Sequence, residues 1–160
     1  MTRDEYKILL QSFAEVFPWS TLWVMNDAHT ILLGRKKVSQ NFTLAEIGNK
    51  FDASGARTYL MESGLVNEAD ILSHFWMNNQ ALKKYVDESS LNTDNRPVIE
   101  FSRVVSRAPD SGVLHDLTVN FQSIETLLDE PEYSGQLFER IELKQYELRE
   151  RLRFYIKQLE

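Results

Sequence analysis

Residues 3–16 place Tyr6, Leu9, Leu10, Phe13 and Val16 at the spacing of one helical face, which predicts an amphipathic helix at the start of the chain. Phe17-Pro18-Trp19 ends it, because the residue ahead of a proline is driven out of the α region. Ser20–Met25 and Thr30–Gly34 then read as strands around the turn Asn26-Asp27-Ala28-His29. So short a connection cannot make a parallel crossover, so the two strands should pair antiparallel.

Beyond Arg35-Lys36-Lys37 the period changes to that of short helices. Thr43 with Glu46 three residues on is a capping box. A second helix starts at Ser54 and stops at Ser63-Gly64, where glycine supplies a left-handed residue. Two more are predicted over Glu68–Phe75 and Asn79–Asp87. Trp76 and Phe75, neighbours in sequence, could not both face one way on a helix, which would put one of them at an interface. Leu91–Pro97 is a polar turn that feeds a short strand, Val98-Ile99-Glu100-Phe101, with Pro97 tolerated at its start. Ser106–Gly112 reads as a linker, and Leu114–Leu128 and Gly135–Leu159 as helices. The expected organisation is a unit over 1–105, a linker over 106–112 and a helical tail over 113–160.

The last helix carries an apolar stripe of Leu137, Ile141, Leu148, Leu152, Tyr155 and Leu159, with Glu147 and Arg151 at the four-residue spacing. At about 24 residues it would be about 36 Å long, more than the small unit ahead of it can cover. Two arrangements fit: a helix docked on its own core, or an interaction helix that pairs with a second copy or a longer parent. A homo-oligomer through this stripe is the expectation.

Composition narrows the function classes. A net charge of −6 argues against general nucleic-acid binding, which needs clustered Lys and Arg. The absence of cysteine removes disulfides and thiolate metal sites and fits a reducing compartment. No run approaches the ~18 apolar residues of a membrane span, so a cytoplasmic chain without direct membrane contact is expected. His29, His74 and His115 are scattered and share no metal-ligand spacing, so no metal is assigned. The glycines form no Gly-x-Gly phosphate cradle, and no Gly-x-Ser-x-Gly elbow marks a nucleophile. Thr43–Val66 imitates a helix-turn-helix, but Arg57 is the only basic residue of its second helix, and a recognition helix brings several contacts. No residue is assigned a catalytic role.

Asp94, Asn95 and Arg96 form the sharpest polar cluster. As plain chemistry, Asp94 caps a turn and Arg96 pairs with a carboxylate such as Glu100. The alternative is a loop that orients a substrate-side element. Thr93-Asp94-Asn95-Arg96-Pro97-Val98-Ile99-Glu100-Phe101 resembles the Thr-Asp-(Asp/Asn)-x-Pro-x-x-Glu-Phe signature near the end of spermidine-synthase-like proteins, notably the large bacterial ones fused to membrane segments. Their helix, Phe-Pro, strand, hairpin and strand ending in glycine are similar to Phe17-Pro18, Leu22-Trp23-Val24 and Ile31-Leu32-Leu33-Gly34. The resemblance covers roughly residues 5–103. It implies an α/β fold in which this chain forms the sheet edge of a class I methyltransferase-like domain, whose last strand runs against an otherwise parallel sheet. It also implies a parent in polyamine biosynthesis, tethered to a membrane in some relatives, that moves an aminopropyl group from decarboxylated S-adenosylmethionine to an amine. The family's glycine-rich cofactor loop and catalytic aspartate precede anything matched here. The expectation is therefore a C-terminal segment without its own cofactor or turnover, whose partner is the remainder of the parent or a second copy. The alternative is a non-catalytic assembly module.

Overall fold

A computed structural model of the chain describes residues 1–26, 29–37, 43–53, 55–87, 91–93, 110–128 and 135–159. The predicted strand Val98–Phe101 and residues 106–109 of the expected linker lie outside these. Thr2 starts helix α1 (Arg3–Val16) with a capping box: its hydroxyl accepts the Glu5 amide at 3.3 Å, and Glu5 Oε2 accepts the Thr2 amide at 2.7 Å. The helix stops ahead of Pro18, and β1 (Trp19–Val24) pairs antiparallel with β2 (Thr30–Arg35), from Trp19 opposite Arg35 to Val24 opposite Thr30. Gly34 lets the end of α1 lie against this hairpin. A Cβ there would stand 2.6 Å from Phe17 Cβ and 2.8 Å from the Phe13 ring.

The helical segments follow the sequence pattern until the third. Thr43 and Glu46 bond each other's amides ahead of α2 (Leu44–Ala53). The next helix, α3 (Ala56–Glu62), is followed by Gly64 at φ 81°, the left-handed residue its position demands. The helix expected over Glu68–Phe75 is shorter: α4 (Glu68–Leu72) ends, and Phe75–Met77 form a third strand, β3. Phe75 and Trp76 are both fully buried, so neither sits at an interface. Strand geometry sends them to opposite faces, as a helix could not. β3 pairs antiparallel with β1, and the register passes two residues on β3 for one on β1. That bulge puts Met77 on the same side as Trp76 rather than with Phe75. After α5 (Asn79–Val86) the next described helix or strand is α6 (Ser111–Val119), whose first turn takes Ser111 and Gly112 from the expected linker. The helix predicted over Leu114–Leu128 breaks at Asn120, leaving only a 3-10 turn at Ile124–Thr126. There the Gln122 amide donates to the Trp76 carbonyl at 2.9 Å, a tertiary bond in place of a helical one.

The sheet, in the order β2-β1-β3, separates two cores. On one face Tyr6 and Leu10 of α1 meet Leu22, Val24, Trp76, Leu82 and Leu117. On the other, Trp19 and Phe75 meet Ala69 and Leu72 of α4 with Ile124 and Leu127. The last helix, α7 (Gly135–Leu159), serves both: Ile141 enters the second core, while Leu148, Leu152 and Ile156 enter the first. Gln145 lies between them, 2% exposed, and its Nε2 donates to the Phe75 carbonyl at 3.1 Å. The apolar stripe is therefore core along most of its length, with Ile141, Leu148 and Leu152 buried, Leu137 and Tyr155 partly so and only Leu159 exposed. It is not a face free for a second copy. The apolar side chains α7 does expose are Leu143, Tyr146 and Phe154, together with Leu159 at its end.

A second junction ties α1 to α6. Arg3 donates through Nε and one terminal nitrogen to both oxygens of Asp116, each at 2.6 Å, and Tyr85 donates to the same carboxylate at 3.0 Å. Asp116 is buried, which makes the paired guanidinium a requirement of the fold rather than an ornament of its surface.

Removing the Gln145 amide should leave the Phe75 carbonyl buried without a partner. Gln145→Ala is expected to lower stability by about 1–3 kcal/mol, read as a shifted urea midpoint at constant slope. Alkaline pH supplies a further check. Burial pushes the Tyr6 phenol from its ordinary 10.0 up to about 12, against a smaller opposing effect of its bond to Thr30. Below the ordinary value both states keep the proton, and between the two values only the folded state does. Stability should therefore fall as pH rises through that window. Tyr85, raised by burial and by Asp116, adds to the same slope. Tyr6→Phe should flatten the decline, and an unchanged profile would show that Tyr6 titrates freely.

Candidate functional site

Asp94, Asn95 and Arg96 lie outside the described residues. The residues on either side of that stretch both rest on α1: the Asn92 amide donates to Ser12 Oγ at 2.7 Å, and Asp110 accepts the Arg3 amide at 3.2 Å. Asp110 also caps α6 through the Gly112 amide at 2.8 Å. Of the histidines, His29 is exposed in the hairpin turn against Asn26. The His74 Nδ1 stands 2.9 Å from the Val24 carbonyl, which can only accept, so that nitrogen carries the hydrogen. Among the described residues no group of three His, Asp or Glu could hold a metal ion, and no helix is long and apolar enough to cross a membrane. Arg57 is held at 2.8 Å by both Asp52 and Glu68, so the one basic residue in the second helix of the helix-turn-helix look-alike ties α3 to its neighbours.

The described chain does contain a site that sequence reading did not find. β2 alternates Leu32, which packs on the first core, with Ile31 and Leu33, which point to the other face. There they stay 44% and 48% exposed. Trp23 of β1 lies beside Ile31; α2, α3 and α4 line the groove with Ile47, Leu60 and Ile71, and the connection between α3 and α4 adds Leu65. The space between is a groove of about 470 Å³, within the range of about 300–1,000 Å³ usual for small-molecule sites. Its described lining is almost wholly apolar; the charged or ionisable groups among these residues are Arg35, Lys50 and His74. Arg35 ends the Ile31–Leu33 row and stacks over the Trp19 ring at 5.2 Å. The exposed Glu46 carboxyl is held below the ordinary range by its backbone bond to Thr43, with smaller effects from Lys50 and Arg35, so both cations stand near this end.

His74 and Leu65 also border a polar pocket of about 160 Å³, lined further by Asp70, Ser73, Lys144, Glu147 and Arg151. Lys144 pairs with Asp70 at 2.9 Å. Burial pushes the Asp70 carboxyl upward, but Lys144 and the Asn67 and Val66 amides outweigh it and hold the group low. Those bonds cap α4 and fasten it to α7, so the pocket reads as a structural joint. A cleft of about 490 Å³ along α7 mixes Glu150 and Arg151 with Phe154 and Tyr155 and favours no one ligand chemistry.

One sequence signal could have exposed the groove. Thr30–Gly34 has consecutive aliphatic residues, Ile31-Leu32-Leu33, where a strand covered on one face alone would alternate. Such a strand needs cover on both faces, and α1 supplies only one. In comparisons with known proteins, no family model, no curated protein and no solved structure matches the chain.

Proposed function

We propose that this chain is the C-terminal part of a spermidine-synthase-like aminopropyl transferase, contributing the edge of a methyltransferase-like sheet and none of the reacting groups. The observation that supports it is the unit from α1 through Phe17-Pro18 and the antiparallel hairpin to Gly34, whose order matches the resemblance and whose glycine has a physical need. Among the described residues β2 is paired only on its β1 side, and the reading puts a further strand of a larger sheet at its outer edge. The groove does not fit decarboxylated S-adenosylmethionine: its described lining holds no glycine and no carboxylate to accept ribose hydroxyls. The nucleotide cofactor would belong to the remainder of the parent.

A second reading, a non-catalytic assembly module, draws on Leu143, Tyr146 and Phe154, the apolar side chains that α7 leaves outside. One experiment separates the two. An antibody to this chain should detect, in cells of origin, a species heavier than 18.7 kDa whose immunoprecipitate transfers aminopropyl groups to an amine. A species of 18.7 kDa with no transferase activity gives the assembly reading instead. The isolated chain should bind neither S-adenosylmethionine nor its decarboxylated form by calorimetry, and saturable micromolar binding of either would contradict the proposal.

A further inference from the structure

We infer that the outer face of α7 pairs with the same face of a second copy of this chain, antiparallel about a two-fold axis at the level of Leu148 and Arg149. This pairing rests on the assembly reading and names its partner. Leu143, Tyr146 and Phe154 are each more than half exposed, on the side of α7 away from Ile141, Leu148 and Leu152. One exposed apolar residue means little, but three that share one side of a helix form a face.

Charge selects the partner. Lys144 is taken by Asp70, and Arg153 and Glu150 by each other. Of the exposed charges that remain, Glu139, Glu142 and Glu147 lie in the N-terminal half of the helix with Arg140, and Arg151 and Lys157 lie in the C-terminal half. None of these six forms an ion pair with another described residue. The helix dipole favours such an order only in the first and last turns, whereas Glu147 and Arg151 lie in the middle. Parallel copies would set like charge on like; antiparallel copies set each acidic half on a basic one. One register meets the apolar and the ionic demand together. With Leu143 opposite the partner's Phe154, Glu139 comes within one residue of the partner's Lys157, and Glu147 within one residue of the partner's Arg151. The two-fold axis repeats each contact. Glu150 meets the partner's Glu147 near the axis, but its charge is already matched by its own Arg153. Arg140 lies on the opposite flank of the helix from Lys157. The paired stretch, Glu139 to Lys157, extends about 27 Å at 1.5 Å per residue. An anionic membrane surface would meet the three acids of the same face, and a partner helix of one charge would suit only half of it.

Sedimentation equilibrium on the 160-residue chain tests this. One helix against one helix is a small interface, so a monomer–dimer equilibrium should appear between micromolar and millimolar concentration. It should weaken as salt is raised, because the ion pairs are exposed. Two charge-inverted chains give the sharper test, one with Glu139→Lys and Glu147→Lys, the other with Arg151→Glu and Lys157→Glu. Each alone should self-associate about tenfold or more weakly, with an unchanged circular dichroism spectrum, since all four positions are exposed. Mixed, the two should associate with each other at least as well as the parent chain does, because every inverted group then meets its opposite. Phe154→Asp should leave a monomer. A parent chain that stays monomeric to millimolar concentration would overturn the inference, as would a dimer indifferent to salt, to charge inversion and to Phe154→Asp. The outcome is separate from that in cells. A monomer overturns the pairing even where cells hold only the 18.7 kDa species, and a heavier, transferase-active species overturns the assembly reading whatever the isolated chain does.

Discussion

Three residues in the interior, Phe75-Trp76-Met77, set the terms for the rest of the structure. A fully buried strand must satisfy its backbone on both edges, because an unpaired carbonyl away from water costs as much as a lost hydrogen bond. One edge is taken by β1. The remaining carbonyls find the side chain of Gln145 and the amide of Gln122, and the Trp76 indole donates to the Leu117 carbonyl. These partners come from α6, from the segment after it and from α7. A strand of three residues thereby makes the C-terminal helices part of the domain instead of an appendage to it.

The same demand explains the course of α7. Its 25 residues extend about 37 Å at 1.5 Å per residue, too long to lie within one small core. It runs past the β3 edge and fills a different core on each side, with Gln145 as the polar residue at the crossing. A buried glutamine within an apolar stripe would ordinarily be a liability. Here it is the only described side chain that reaches the Phe75 carbonyl, which fixes the axial position of the helix. The Arg3–Asp116–Tyr85 cluster then fastens α6 to the first turn of α1 and to α5.

The elements legible in the sequence were those with local causes. Pro18 after α1, the short turn of the hairpin and the 3.6-residue period of α7 each act over a few residues, and each element lies within a residue of where the pattern put it. What stayed hidden depended on distant partners. β3 is too short to show a period, and its neighbours Ser73 and His74 gave no strand signal. Asn120 ends α6 because Gln122 has a bond to make with Trp76, which no local rule announces. The stripe on α7 was visible, but whether it was core or interface turned on cover from α4, α6 and the sheet. The groove was obscured for a related reason: it is made by the mismatch between a strand that is apolar on both faces and an arm of helices that covers one face incompletely.

Removing α7 shows whether β3 obliges the C-terminal helix to be core. The chain ending at residue 134 should be compared with the full chain by thermal unfolding and near-ultraviolet circular dichroism, which reports the packing of Trp76. Without α7 the Phe75 carbonyl, Ile141 in one core and Leu148, Leu152 and Ile156 in the other all lose their places. The truncated chain should show no cooperative transition and a collapsed tryptophan signal. A truncated chain that melts cooperatively near the full-length temperature, with its near-ultraviolet spectrum intact, would contradict it.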